Sequence, residues 1–237
     1  MIKDRLIVAL DVPSLKEAEK LVKTLSPAVN IFKVGKELFT SAGPDVVKMI
    51  HAKKKKVFLD LKFHDIPNTV GSACEAAAKL GVFMLNVHVS GGRAMLYAAA
   101  QSVAKGSRGR KTKAPILLGV TVLTSMTEED LKETGVKKKV QDQVRDLAKL
   151  AQNCGLDGVV ASGQEIELIR KATSPSFIIV TPGVRPLWAA HGDQKRIVTP
   201  VQAMQKGAHF IVVGRPITQS TDPCKAARDI LEEINRQ

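Results

Sequence analysis

Eight short apolar runs rich in β-branched residues recur along the chain: "RLIVALDV", "VNIFKVG", "KVFLDLK", "VFMLNVHV", "APILLGVTVL", "LDGVVAS", "SFIIVTPG" and "HFIVVGRP". Amphipathic stretches with helical spacing lie between and after them, over residues 14–25, 43–52, 70–80, 93–104, 140–153, 164–172, 200–206 and 223–235. Continuous apolar strands alternating with helices indicate a parallel sheet, because parallel strands need a crossover and bury both faces. Eight such units in 237 residues predict closure into a single-domain α/β barrel, the (β/α)8 or TIM barrel, spanning 1–237. A doubly wound open sheet is the competing architecture, but "ALDVPSLKEA" follows the first strand where a glycine-rich GxGxxG turn would be expected. No Pro/Ser-rich linker marks a second domain.

Composition narrows the class further. The hydrophobic fraction of 44% excludes a disordered chain, and no apolar run approaches the ~20 residues of a membrane span. "MIKDRLIVALD" lacks the apolar core and cleavage site of a signal peptide, so a cytoplasmic protein is expected. Cys74, Cys154 and Cys224 are widely spaced and show no CxxC pattern, which predicts reduced, buried thiols rather than a zinc site or disulfides. The net charge of +13 suits an anionic partner. Its densest runs, at 53–56, 108–113 and 137–139, fall between apolar segments where solvated helix ends belong. Aromatic residues make up only 4% and none interleaves with those runs, so a base-stacking nucleic-acid surface is not expected.

In a closed α/β barrel the active site lies at the C-terminal ends of the strands. Those ends supply Asp11, Lys33, Asp60 with Lys62, Asn86 with His88, Thr121 with Thr124, Ser162, Thr181 with Pro182, and Gly214 with Arg215. Strand alternation puts Asp60 and Lys62 on one face, with Lys33 arriving from the neighbouring strand and Asp65 just beyond. Buried ions cost several kcal/mol unless paired, so an alternating Lys and Asp arrangement is expected. One such pair would suit a structural salt bridge, whereas four charges converging on one mouth suit a site. Two ammonium groups there disfavour a divalent cation beside His64 and Asp65. His88 reads as a hydrogen-bonded core histidine.

"DLKFHDIPNT", with "ALDV", "FKVGKELF", "NVHVSGG", "VTVLTSM", "CGLDGVV", "VTPGVRP" and "VVGRPIT", resembles the orotidine 5'-phosphate decarboxylase family of the bacterial type, from near Arg5 to about Ala226. The resemblance implies decarboxylation of orotidine 5'-phosphate to UMP, the last step of de novo pyrimidine synthesis, without cofactor or metal. It implies a catalytic tetrad of Lys33, Asp60, Lys62 and Asp65, with Lys62 as proton donor. By the same resemblance Arg185, Gln194, Gly214 and Arg215 bind phosphate, Thr124 reads the pyrimidine edge, Asp11 holds ribose hydroxyls, and Pro182 lines the substrate site. It further implies a homodimer in which Asp65 and Thr69 enter the partner's site.

Local chemistry supports parts of this pattern. Gly214 permits close backbone approach to an anion, Arg215 can chelate its oxygens, and a following helix start would add N–H groups. "PGVRPLWAAHGDQ", residues 182–194, is long for a barrel connection and reads as a lid; Trp188 within it carries no assigned chemistry. Asn68 and Thr69 are placed to cap a helix beginning near Val70. Two other classes remain open at this point: a metal-dependent sugar-phosphate decarboxylase or epimerase on the same barrel, and a non-catalytic nucleic-acid binder suggested by the charge alone.

Overall fold

A computed structural model of the chain describes residues 4–109, 113–188 and 198–235. Eight parallel strands, β1 (Leu6–Ala9), β2 (Ile31–Gly35), β3 (Lys56–Phe63), β4 (Met84–His88), β5 (Ile116–Val120), β6 (Gly158–Val160), β7 (Ile178–Thr181) and β8 (Phe210–Val213), close in sequence order into a barrel. Each of the eight apolar runs coincides with one of these strands, β3 extending one residue past its run to Phe63. The helices are α1 (Leu15–Leu25), α2 (Lys36–Ala42), α3 (Asp45–Ala52), α4 (Pro67–Lys79), α5 (Gly92–Gly106), α6 (Glu128–Glu133), α7 (Val140–Asn153), α8 (Ile166–Ala172), α9 (Pro200–Gln205), α10 (Arg215–Thr218) and α11 (Pro223–Asn235). Among the described residues no helix is long and apolar enough to cross a membrane.

Strand alternation divides the core into two shells. Ile7, Ile31, Phe58, Met84, Leu118, Val160, Val180 and Val212 fill the barrel interior. Leu6, Val8, Phe32, Leu59, Leu85, Val159, Ile179 and Ile211 face the helices. Both faces of every strand are therefore apolar along most of their length, as a parallel sheet requires.

Three local features differ from the sequence reading. Asn68 and Thr69 do not cap α4, because the helix starts one turn earlier at Pro67. Proline is preorganised for the first helical position, and Ile66 is the extended residue before it. The short helices α2 and α6 were not anticipated, since six or seven residues leave little periodicity to read. Cys74 and Cys154 are buried, but Cys224 is only half-buried; burial pushes the Cys74 thiol up to about 12.

Candidate active site

The C-terminal mouth of the barrel gathers a chain of alternating charges. Lys33 Nζ lies 2.9 Å from Asp11 Oδ1 and 3.4 Å from Asp60 Oδ2. Lys62 Nζ lies 2.7 Å from Asp60 Oδ1. The order Asp11, Lys33, Asp60, Lys62 follows the strand order β1, β2, β3, so neighbouring strand ends bring unlike charges together. Asp60 is almost fully buried, and each of its oxygens meets an ammonium. A buried carboxylate paired this completely is fixed in orientation.

Asp60 and Lys62 meet as alternation predicts, yet the strand is not regular there. The β3–β4 register passes from Leu59↔Leu85 to Phe63↔Val87, so β3 advances four residues while β4 advances two. Lys62 occupies this bulge with φ of +52°, in the left-handed region that side-chain-bearing residues seldom adopt. Its N–H donates to Asn86 Oδ1 at 2.8 Å, and Asn86 Nδ2 donates to Asp60 Oδ1 at 2.7 Å. Asn86 was legible as a polar strand-end residue but not as part of the site. Gly35 was missed too: a Cβ there would sit 3.1 Å from Lys33 Nζ and 3.4 Å from Asp11 Oδ1, crowding the ion pair. A glycine ending a strand whose inward neighbour is lysine was the available signal.

A cavity of about 230 Å³ opens beside these charges, lined by Asp11, Lys33, Asp60, Pro182, Arg185, Gly214 and Arg215 among others. Seven residues singled out from sequence thus surround one space. Arg185 is buried at its wall, while Arg215 is exposed at its rim. The helix start after β8 contributes less than expected. Pro216 has no N–H, and the N–H groups of Ile217 and Thr218 donate to the Gly214 carbonyl. The anion-binding capacity of this corner therefore rests mainly on the two guanidinium groups, which suit phosphate oxygens.

Other sequence candidates lie elsewhere. Thr124 lines a separate cavity of about 360 Å³ with Ser125, Glu128 and Gln164. Asp65 is exposed and accepts the Ile66 N–H at 2.6 Å, and among the described residues it pairs with neither Lys33 nor Lys62. Thr69 is exposed on the first turn of α4. Gln194 and residues 189–193 of the expected lid fall outside the described residues. His88 stacks loosely on His64, with ring centroids 5.4 Å apart. Burial, and then the nearby His64 and Lys62, lower its pKa from 6.5 to about 4, so it adds no positive charge to the mouth at pH 7. No group of three or more His, Cys, Asp or Glu side chains arranged to hold a metal occurs among the described residues.

The fold and the paired charges at its C-terminal mouth define a (β/α)8-barrel enzyme. The sequence model of the orotidine 5'-phosphate decarboxylase / HUMPS family matches residues 4–230, and the chain belongs to that family. It is 54% identical over 233 residues to an orotidine 5'-phosphate decarboxylase of Moorella thermoacetica, covering 98% of this chain and 92% of the relative. It is likewise 54% identical over 232 residues to one of Syntrophotalea carbinolica, covering 98% and 95%. The crystal structure of orotidine 5'-phosphate decarboxylase from Lactobacillus acidophilus superposes with a TM-score of 0.88 at 39% identity, covering 98% of this chain and 99% of the other.

Proposed function

We propose that this protein decarboxylates orotidine 5'-phosphate to UMP without cofactor, using Lys62 to stabilise and protonate the carbanion at C6. The observation that carries the proposal is the alternating chain Asp11, Lys33, Asp60, Lys62 at the mouth of a barrel of this family. The bond from C6 to the carboxyl carbon breaks, CO2 departs, and the electron pair remains in the ring plane, where no adjacent π system accepts it. An ammonium beside C6 stabilises that pair and then donates a proton to it, with Lys62 recovering its proton from solvent. Asp60, pinned by Lys33, Lys62 and Asn86, cannot swing away from the substrate carboxylate.

Magnitudes limit what repulsion can do. Like charges ~4 Å apart at an effective dielectric near 20 repel by ~4 kcal/mol, about three powers of ten in rate. Enzymes commonly supply ~8 to 23 kcal/mol, so the rest falls to carbanion stabilisation and to binding of the unreactive phosphate. Arg185, Gln194, Gly214 and Arg215 take the phosphate, Asp11 the ribose hydroxyls, Thr124 the pyrimidine edge, and Pro182 walls the site.

Asp65 and Thr69 act from the partner subunit of a homodimer, a role supported by their exposure and by the exposed Ile66 between them. Mixing Lys62→Ala and Asp65→Ala dimers, each inactive alone, should then restore about a quarter of wild-type activity, because half the dimers are mixed and each holds one intact site. No restoration after subunit exchange would remove Asp65 from the partner's site. The reaction itself is tested by the fall in orotidine 5'-phosphate absorbance with pure protein in excess EDTA, with UMP identified as product. Turnover abolished by the chelator would favour a metal-dependent sugar-phosphate enzyme, and no turnover with or without it would reject the activity. Asp60 offers a metal little, since ammonium groups occupy both its oxygens.

A further inference from the structure

We infer that Asn86 is a positioning residue that sets both Asp60 and Lys62 while never touching the substrate itself. Asn86 is completely buried on β4, so it can act on the reaction only through its neighbours. In a regular ladder one residue opposes one, but here Asp60, Leu61 and Lys62 all lie opposite Asn86 alone, between the Leu59↔Leu85 and Phe63↔Val87 pairs. Such a bulge strands backbone groups that the ladder would have satisfied. The Asn86 carboxamide replaces the missing partner, its Oδ1 accepting the Lys62 N–H at 2.8 Å.

That bond holds Lys62 at φ of +52°. A left-handed backbone persists in a lysine only where its surroundings over-determine it. The other end of the same amide donates to Asp60 Oδ1 at 2.7 Å, and that oxygen also takes Lys62 Nζ at 2.7 Å. The result is a closed circuit from Lys62 backbone to Asn86, to Asp60, to Lys62 ammonium. One planar group thereby fixes where the lysine starts and where its ammonium ends.

The choice of residue follows from the circuit. It needs an acceptor for an N–H and a donor for a carboxylate on two separate atoms of one short side chain, which among residues of this size only asparagine offers at neutral pH. The amide orientation is dictated by the partners, because a carboxylate cannot face the Oδ1 and an N–H cannot face the Nδ2. Aspartate would set a second anion against Asp60, and leucine, branched alike though bulkier, would leave both partners unmet.

The inference rests on the proposed decarboxylation, and its test separates the two. Asn86→Leu and Asn86→Ser are prepared, their kcat and KM for orotidine 5'-phosphate and their affinity for UMP are measured, and the crystal structure of the better-folded variant is solved. The expected result is a fall in kcat of roughly a hundredfold, the scale of a misplacement near 1 Å, with KM and UMP affinity within about threefold of wild type. The structure should show Lys62 relaxed out of the left-handed region or its ammonium withdrawn from Asp60. A kcat within about threefold of wild type, or a rise in KM as large as the fall in kcat, would overturn the inference. So would a variant structure in which Lys62 keeps its positive φ and its contact with Asp60. If wild-type protein fails to turn over the substrate, the decarboxylation reading falls, and the crystal structure still decides the role of Asn86.

Discussion

The mouth half of the barrel and the half beneath it are built from opposite materials. Strands β1 to β4 send Asp11, Lys33, Asp60, Lys62 and Asn86 to the mouth, where they satisfy one another. Beneath them Ile7, Ile31, Phe58 and Met84 from β1 to β4, with Leu118, Val160, Val180 and Val212 from β5 to β8, fill the interior. Charges concentrated on one side can pair across adjacent strand ends, which scattered charges could not do. The apolar layer beneath them is poorly polarisable, so charges at the mouth interact more strongly than they would in solvent. Electrostatics and packing are thus assigned to different layers of the barrel, and substitutions in the two halves should damage different properties.

The largest effect should come from the charged half. Lys33→Ala removes the ammonium shared by Asp11 and Asp60, and kcat/KM should fall by about three powers of ten, the scale of losing one aligned electrostatic group. Its melting temperature should change little, since Lys62 still pairs with Asp60. A loss of stability matching the loss of activity would blur the division. Arg215→Ala, at the rim, should raise KM by about 10- to 100-fold through lost charge-assisted hydrogen bonds, leaving the fold intact. An unchanged KM would take Arg215 out of phosphate recognition.

In the apolar half the effect should invert. Leu118→Ala empties a fully buried position and should cost about 2 to 5 kcal/mol in urea unfolding, while kcat below the melting range stays within about fivefold. A greater loss of kcat than of stability would show that this wall does chemistry. The smallest effect is a pH dependence. His88 has a folded pKa of about 4, below its ordinary 6.5, so protonation favours the unfolded chain. Its contribution to stability is complete above pH 6.5 and is lost as pH falls through 4. His88→Asn should therefore lose less stability than wild type between pH 7.5 and 4.5, and equal losses would contradict the shift.

The fold was legible because both strand faces are buried, so each strand is a continuous apolar run that survives without three-dimensional context. Helices with long amphipathic periods were equally visible: α7 and α11 have the bounds their spacing predicts. The start of α4 was not, because Asn68 and Thr69 resemble caps while the structure uses Pro67 to begin the helix. Within the site, Lys33, Asp60 and Lys62 were readable from position on the strands alone. Asn86 was not, since its role depends on a register shift between β3 and β4 that no local pattern encodes. Gly35 was hidden for a similar reason, its importance lying in the space that Lys33 and Asp11 need.

The most direct test is turnover of orotidine 5'-phosphate by Lys62→Ala. Activity should fall by about four powers of ten or more, beyond the usual reach of a single general acid, because in the proposed mechanism this ammonium also stabilises the carbanion. Far-UV circular dichroism and UMP binding should remain close to wild type. A folded Lys62→Ala protein whose turnover stays within tenfold of wild type would show that the proton and the stabilising charge come from another group.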